Sequence, residues 1–499
     1  MARPEMLAAI ASGILLALPF HWPACYGLAF VALVPLLLHG RRRPWRSGLL
    51  AGTVFYALVL YWINLVMVRF GQLPWALALP LYLLLVLYLA GFWGAACWCC
   101  ERLRQRLGLT PLLLVPVVWL VAEYGRSWLL TGFPWGNPVY ALMGQPLLLQ
   151  SADLAGLWLP LALLLLVNAL VAQLWTCVRQ HRPWPRGALL LTGLLLLANS
   201  LYGVWRGQSV AEDGEPLRVA LIQGNIDQDL KWNPAHLEET LQRYENLSRQ
   251  APAAALLVWP ESATPFFYQS GGAAAERVRQ LARQGRQTLL FGSPAYDNAS
   301  DGRRRYLNSA FAIDSEGRLL GRSDKVHLVP FGEYVPLARL LTFVDKLAEG
   351  IGDFMPGQMR PLPLAGVAGG VLICYEAIFP ELARQQVAQG AQLLVNLTND
   401  AWFGRTAAPW QHLAMARLRA IENRRYLVRS ANSGISAIID PAGRLLAHSP
   451  LFVATSVEGV VYGRTDLSLY SRLGDLVPRC LTLVVLLWLW QSRRSLPAF

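Results

Sequence analysis

The chain has 499 residues, of which 55% are hydrophobic and only 15% are charged, and it contains 19 tryptophans. This composition excludes an ordinary water-soluble protein, because so many apolar side chains require surroundings other than water. The formal net charge is +13, but no nucleic-acid partner is indicated, since no basic stripe interleaved with aromatic residues occurs in the more polar part of the chain.

The apolar residues divide the chain into three regions. Residues 1–205 contain no lysine and only four acidic side chains, which predicts a membrane domain with seven transmembrane helices. Residues 206–475 have mixed charge and alternating strand and helix patterns, which predicts a globular domain. Residues 476–499 become apolar again, which predicts a C-terminal transmembrane helix followed by a short tail.

About eight transmembrane helices are predicted, since a span requires about 20 mostly apolar residues. The candidate segments are 6–21, 25–39, 48–68, 76–100, 110–129, 155–176, 187–205 and 477–490. Arginine clusters follow the second, fourth, sixth and eighth segments, and such clusters mark the cytoplasmic side. Both termini are therefore expected in the cytoplasm and residues 206–475 outside it. For the last segment, a buried core helix is the alternative, but the flanking Arg493 and Arg494 favour a span.

The globular region is predicted to be a layered α/β domain, because short β-rich runs alternate with helical stretches. Strands are expected near 217–223, 255–259, 288–291, 309–313, 370–374, 393–397, 426–429 and 435–439. Helices are expected near 234–250, 274–283, 379–389 and 410–423.

Cys374 stands apart from the other six cysteines, which all lie in or beside predicted spans, where a thiol behaves as a small apolar residue. It ends a buried strand and is followed closely by a helix. A strand-to-helix turn can present a side chain beside backbone N–H groups, and this geometry suits an oxyanion. Cys374 is thus a candidate nucleophile, with a buried core cysteine as the alternative.

Glu261 and Lys325 have similar settings, because each follows a predicted strand. A carboxylate can take the proton of a thiol, and an ammonium can lower the pKa of a thiol and bind a developing oxyanion. Each residue taken alone is better explained as a surface charge than as a catalyst. No metal site is expected, since His236, His327 and His412 lack the spacing of metal ligands.

The spacings of 64 residues from Glu261 to Lys325 and 49 from Lys325 to Cys374 complete a recognisable pattern. It resembles the Glu-Lys-Cys triad of the nitrilase superfamily, over about residues 217–465. With seven spans before this domain and one after it, the whole chain resembles the apolipoprotein N-acyltransferase family. Further segments similar to motifs of that family are 223–225, 231–232, 331–333 and 399–403.

The resemblance implies an α-β-β-α sandwich and a ping-pong reaction without cofactor or metal. Glu261 would act as the base, Cys374 as the nucleophile and Lys325 as the cation that holds the oxyanion. The resemblance also gives supporting roles to Glu333, Tyr375 and Glu376, and substrate-binding roles to Trp232, Trp402 and Phe403. Structural alternatives are a loop cap for Glu333 and a helix N-terminal charge for Glu376.

By the same resemblance, the enzyme transfers a fatty acyl chain from the sn-1 position of a phospholipid, through a cysteine thioester. The acceptor is the α-amino group of the N-terminal diacylglyceryl-cysteine of apolipoproteins, and the site is the periplasmic face of a bacterial inner membrane. Two alternatives remain: a membrane-tethered nitrilase-type amidase that passes the acyl group to water, and a non-catalytic ligand-binding receptor or transporter.

Two apolar segments are candidates for contact with lipid. The loop 131–135 is either an aromatic anchor at the membrane interface or part of a lipid entrance. Residues 337–349 are either an amphipathic arm on the bilayer or core packing.

Overall fold

The structure is a computed structural model that describes residues 1–210, 212, 214–298, 302–334 and 354–494. The predicted arm 337–349 lies outside the described residues. The chain forms two compact units. The first, here called the helical unit, contains Met1–Leu65, Pro74–Ser209 and Leu473–Phe499, and the second, called the α/β unit, contains Val66–Leu73 and Val210–Arg472.

The α-helices are numbered along the chain. They are α1 Arg3–His21, α2 Val34–His39, α3 Pro44–Val59, α4 Trp62–Arg69, α5 Trp75–Leu107, α6 Pro111–Arg126, α7 Ala152–Ala155, α8 Trp158–Arg179, α9 Arg186–Gln208, α10 Gln228–Lys231, α11 Leu237–Arg249, α12 Ala273–Gly285, α13 Pro380–Ala388, α14 Ala408–Asn423, α15 Leu469–Leu473 and α16 Leu476–Arg494. Proline stands near the start of several of them, as in α3, α6 and α13, where a missing N–H costs nothing.

The helical unit is built from apolar helices. Within the described residues, five are long and apolar enough to cross a membrane: Arg3–His21, Pro23–Arg42, Trp75–Leu107, Trp158–Arg179 and Arg186–Gln208. The pair α3 and α4, bent by 55°, makes a sixth if it is counted as one span. The predicted fifth span corresponds to α6, which has 16 residues, and the predicted eighth corresponds to α16. Neither is among the five, so their crossing of a membrane stays a prediction.

The strands of the α/β unit form two sheets. They are β1 Pro216–Gln223, β2 Leu256–Val258, β3 Thr288–Asn298, β4 Arg304–Ile313, β5 Leu319–Asp324, β6 Leu362–Leu364, β7 Val367–Ile373, β8 Leu393–Thr398, β9 Leu427–Ala431, β10 Ala437–Ile439, β11 Leu445–His448 and β12 Thr455–Tyr462. One sheet has the order β12-β1-β2-β3-β4-β5 and the other the order β11-β10-β9-β8-β7-β6. In each sheet three central strands run parallel, β1 to β3 and β7 to β9.

The two sheets pack face to face between helices. Alternate residues of β1 point to opposite faces, so that Val219 and Leu221 join a core shared with Val371 and Val395 of the second sheet. Ala220 and Ile222 of β1 instead pack with side chains of α11 and α12. Helices α13 and α14 pack on the second sheet, against β7 and β9. The predicted α-β-β-α sandwich is therefore confirmed.

Strands that run in one direction bring the predicted site residues to one edge of each sheet. β5 is antiparallel to β4, which is antiparallel to β3, so β5 runs in the same direction as β1 to β3. Glu261 follows β2, Lys325 follows β5 and Cys374 follows β7. Side chains that follow parallel strands lie at the carboxyl edge of a sheet, where open α/β sheets bind ligands. The fold therefore places all three residues where strands end.

Gly292 of β3 fixes the position of the turn that carries Glu261. A Cβ atom at Gly292 would lie 2.7 Å from Cα of Glu261 and 2.5 Å from the main-chain nitrogen of Ser262. These contacts are with main chain, which cannot give way as a flexible side chain can. The close approach of β3 to this turn therefore requires glycine.

Gly292→Ala is expected to push the Glu261 turn away and to lower the stability by roughly 1–3 kcal/mol, the usual cost of overpacking. The measurement is the thermal unfolding temperature of the purified protein. Gly193→Ala in α9 is the matched control, because a Cβ there has open space within 4 Å. Equal unfolding temperatures for the two variants would show that β3 does not constrain the turn.

Candidate active site

Lys325 lies between two carboxylates. Its Nζ atom is 2.9 Å from Oε2 of Glu333 and 3.6 Å from Oε1 of Glu261. Lys325 is 1% exposed and Glu261 is 7% exposed. A buried ammonium requires such partners, because an unpaired charge in the interior is strongly destabilising. The structure thus brings together three of the predicted site residues.

Cys374 follows directly after β7 in a backbone conformation that is rare for a residue with a side chain. Its φ is +51°, in the left-handed region, which costs roughly 1–3 kcal/mol for a non-glycine residue. The residue opens a short 3-10 helix, Cys374–Ile378. Because strain of this kind is retained where the surrounding structure over-determines it, the turn marks Cys374 as a specially held residue.

The pKa shifts describe a neutral thiol beside a fixed cation. Burial, and then the negative charge of Glu261, raise the pKa of the Cys374 thiol to about 12, although the charge of Lys325 acts to lower it. Burial alone would lower the pKa of Lys325, but the carboxylates of Glu333 and Glu261 outweigh it, so this pKa is raised. A neutral thiol needs a base to remove its proton during the reaction. Lys325 stays protonated because its pKa is raised.

Glu376 links the turn of Cys374 to the end of β5. Its Oε2 accepts a hydrogen bond from the main-chain N–H of Ile373 at 2.7 Å, and its Oε1 accepts from Val326 at 2.7 Å and from His327 at 3.1 Å. Burial raises the pKa of this carboxyl to about 7, against these hydrogen bonds. Glu376 therefore holds the segments that carry Cys374 and Lys325 beside each other.

Tyr375 and two of the three predicted substrate-binding residues, Trp402 and Phe403, have aromatic neighbours. Tyr375 is buried and meets Phe379 with ring centroids 5.1 Å apart. Trp232 is half-buried and directly follows α10. Trp402 and Phe403 are half-buried in the 3-10 helix Asp400–Phe403 after β8, where Trp402 packs edge-on against Phe70 at 4.9 Å.

Comparison with known proteins places this arrangement in a family. Residues 218–473 match the model of the carbon-nitrogen hydrolases, and residues 12–170 match that of the apolipoprotein N-acyltransferase N-terminal domain. Among solved structures, an amidase of the nitrilase superfamily from Nesterenkonia sp. AN1 aligns with a TM-score of 0.40 and 22% identity, over 53% of this chain and 97% of the amidase.

Two relatives carry the same name as the second of these models. The apolipoprotein N-acyltransferase of Geobacter metallireducens is 45% identical over 95% of this chain and 92% of its own length. That of Pseudomonas putida is 35% identical over 93% of this chain and 92% of its own. The chain belongs to the apolipoprotein N-acyltransferase family. As a member, it is an acyltransferase with a nitrilase-type catalytic domain and apolar membrane helices.

Asn308 and Lys231, which the sequence analysis did not select as site residues, also contact Glu261. Nδ2 of Asn308 donates to Oε1 of Glu261 and to Oε1 of Glu333, each at 2.9 Å. Nζ of Lys231 donates to the main-chain oxygen of Glu261 at 3.0 Å. Lys231 lies in the segment 231–232 that was noted as similar to a family motif, whereas Asn308, inside β4, gives no sequence signal.

Three more unselected residues lie beneath the Cys374 turn. Asp400, His412 and Arg429 are all fully buried and bonded to one another. The sequence analysis considered His412 only as a metal ligand, and the structure places it in the interior. Arg429 offered a usable signal, because an arginine within an otherwise apolar buried strand requires a buried partner.

Burial lowers the pKa of Lys231 from 10.5 to about 8, although the charges of Glu261 and Cys374 act to raise it. Below about pH 8 the folded and unfolded states both hold the proton, so the buried charge destabilises the fold. Between pH 8 and 10.5 the folded state has released a proton that the unfolded state keeps, so stability rises with pH. Lys231→Met should therefore raise the unfolding temperature at pH 7, and the gain should shrink by about pH 10. An unchanged gain across this range would contradict a buried ammonium at this position.

Proposed function

We propose that the chain transfers a fatty acyl group from the sn-1 position of a phospholipid to the α-amino group of a diacylglyceryl-cysteine at the N-terminus of an apolipoprotein. The observation that carries the proposal is the shared cation. Lys325 is held between Glu261 and Glu333, and its charge and that of Glu261 both act on the thiol of Cys374. These groups supply a base, a nucleophile and an oxyanion partner in one place.

In the first half-reaction, Glu261 takes the proton of the Cys374 thiol as Sγ attacks the carbonyl carbon of the ester. The neutral resting thiol requires this base, because a thiolate is not preformed. The ammonium of Lys325 and the main-chain N–H of Tyr375 hold the negative oxygen of the tetrahedral intermediate. The intermediate then breaks its C–O bond, the lysophospholipid oxygen takes the proton from Glu261, and a thioester remains on Cys374.

In the second half-reaction, the α-amine of the acceptor attacks the thioester carbonyl. Glu261 takes a proton from the attacking nitrogen and returns it to the sulfur as the C–S bond breaks. The product is an amide and a free Cys374 thiol. Because a thioester is more reactive towards amines than an oxygen ester is, the reaction needs no further source of energy.

The remaining assignments support this chemistry from the periphery. Glu333 and Asn308 fix the cation and the base, and Glu376 fixes the two segments that carry Lys325 and Cys374. The half-buried rings of Trp232, Trp402 and Phe403 would contact the acyl chain or the acceptor. The arginine clusters favour a membrane topology with the α/β unit outside the cytoplasm. Membership of the family favours the bacterial inner membrane, with this unit in the periplasm.

The test is intact-mass measurement of the detergent-purified protein. After incubation with phosphatidylethanolamine, we expect the protein to gain the mass of one acyl group in place of the thiol hydrogen, with release of lysophosphatidylethanolamine. The adduct should be absent in Cys374→Ala. Adding a diacylglyceryl lipopeptide should discharge the chain to the peptide as an amide.

Two other outcomes would overturn the proposal. Discharge as free fatty acid in the presence of the peptide would instead favour a membrane-tethered amidase. An adduct of the same size on the folded Cys374→Ala variant would remove Cys374 as the nucleophile.

A further inference from the structure

The buried side chain of His412 forms a hydrogen bond with the main chain of Cys374, the proposed nucleophile. Nε2 of His412 lies 3.1 Å from the main-chain oxygen of Cys374, and Nδ1 lies 3.1 Å from Oδ1 of Asp400. A carbonyl oxygen can only accept, so Nε2 must carry a proton and donate it to Cys374. Nε2 of His412 is thereby assigned as the donor in this contact.

Arg429 supports this donor from its far side. Nη2 of Arg429 donates to Oδ2 of Asp400 at 2.7 Å and also lies 3.1 Å from Nδ1 of His412. The guanidinium and the carboxylate thus hold the edge of the imidazole that faces away from Cys374. The ring of Phe403 lies edge-on to the same imidazole, with centroids 6.0 Å apart.

A second donor to the same carbonyl is held by the same arginine. Nδ2 of Asn396 lies 3.5 Å from the main-chain oxygen of Cys374 and 2.9 Å from that of Leu372. Nη1 of Arg429 donates to Oδ1 of Asn396. One buried guanidinium therefore contacts both His412 and Asn396, two side chains that reach the carbonyl of Cys374.

The hydrogen bonds to this carbonyl also orient the main-chain N–H group of Tyr375. The carbonyl of Cys374 and the N–H of Tyr375 belong to one planar peptide unit and point in opposite directions. Holding the oxygen toward His412 directs the N–H of Tyr375 away from His412. The same contact helps to hold Cys374 at its φ of +51°.

We propose that His412 is a positioning residue for the acylation step, held by Asp400 and Arg429, and that it sets the orientation of the peptide between Cys374 and Tyr375. This inference rests on the proposed function, in which Cys374 is the nucleophile and that peptide supplies an oxyanion donor. His412 contacts Cys374 at its main-chain oxygen and acts through the orientation of that peptide.

The test compares two substitutions of His412 that differ in one hydrogen-bond donor. His412→Gln retains an N–H at the end of the side chain, whereas His412→Leu fills the space without one. The readout is the rate of acyl transfer from phosphatidylethanolamine to Cys374, by rapid quench and intact mass, per folded molecule. We expect His412→Leu to be slowed roughly 100-fold, the usual effect of a misplaced reacting group, and His412→Gln to stay within about tenfold of wild type.

Leu418→Ala serves as the control for loss of stability alone. Leu418 is fully buried in α14, the helix that carries His412. Because the two residues are six positions apart, Leu418 lies on a different side of that helix. It should lower the unfolding temperature and leave the acylation rate per folded molecule unchanged. The wild type must itself form the adduct, and Cys374→Ala must not, which tests the proposed function separately.

Two results would overturn the inference while leaving the proposed function intact. One is a wild-type acylation rate in folded His412→Leu. The other is an equal slowing in His412→Gln and His412→Leu, which would show that the ring and not its N–H group matters. If His412→Leu does not fold, the comparison of His412→Gln with His412→Asn, whose shorter amide cannot reach the carbonyl, decides between the same outcomes.

Discussion

The buried ammonium of Lys325, shared by the carboxylates of Glu261 and Glu333, holds the catalytic edge of the first sheet together. Without the cation, two buried carboxylates would share this place with no opposite charge between them, and unpaired buried charges are strongly destabilising. Asn308 strengthens the arrangement, since its amide bridges the same two carboxylates. The ammonium of Lys325, which stabilises this cluster in the fold, is the same group that would stabilise the oxyanion in the proposed reaction.

The second sheet and its helices hold Cys374 in a strained turn. The carboxylate of Glu376 ties that turn to the end of β5, and the side chains of His412 and Asn396 hold its carbonyl from beneath. Each of these is buried, so the turn is fixed by hydrogen bonds that water does not weaken. Both halves of the sandwich therefore present a rigid edge, and the chemistry lies where the two edges meet within the α/β unit.

Much of this could be predicted from the sequence, because some of its signals are local. Strand periodicity and the positions of Glu261, Lys325 and Cys374 after strands predicted a layered domain with chemistry at strand ends. The pairing of β12 with β1 could not be predicted, because the two strands lie at opposite ends of the α/β unit's sequence. Asn308 and His412 were missed for the same reason: an amide within a strand and a histidine within a helix acquire their roles from partners that are distant in sequence. The apolar length of α6 was overestimated, because its helix ends at Arg126, which bonds back to the loop carbonyl of Trp135.

The most direct test of the shared cation is a comparison of Lys325→Met with the double variant Lys325→Met/Glu333→Gln. The single variant leaves buried carboxylates without a cation and should lose about 3–5 kcal/mol of stability, seen as a lower unfolding temperature. The double variant should recover much of that temperature, because one of the two charges is gone, while acylation of Cys374 by phosphatidylethanolamine stays slowed by at least about 100-fold in both. Recovery of acylation together with stability would contradict the account, since Lys325 would then serve the fold alone.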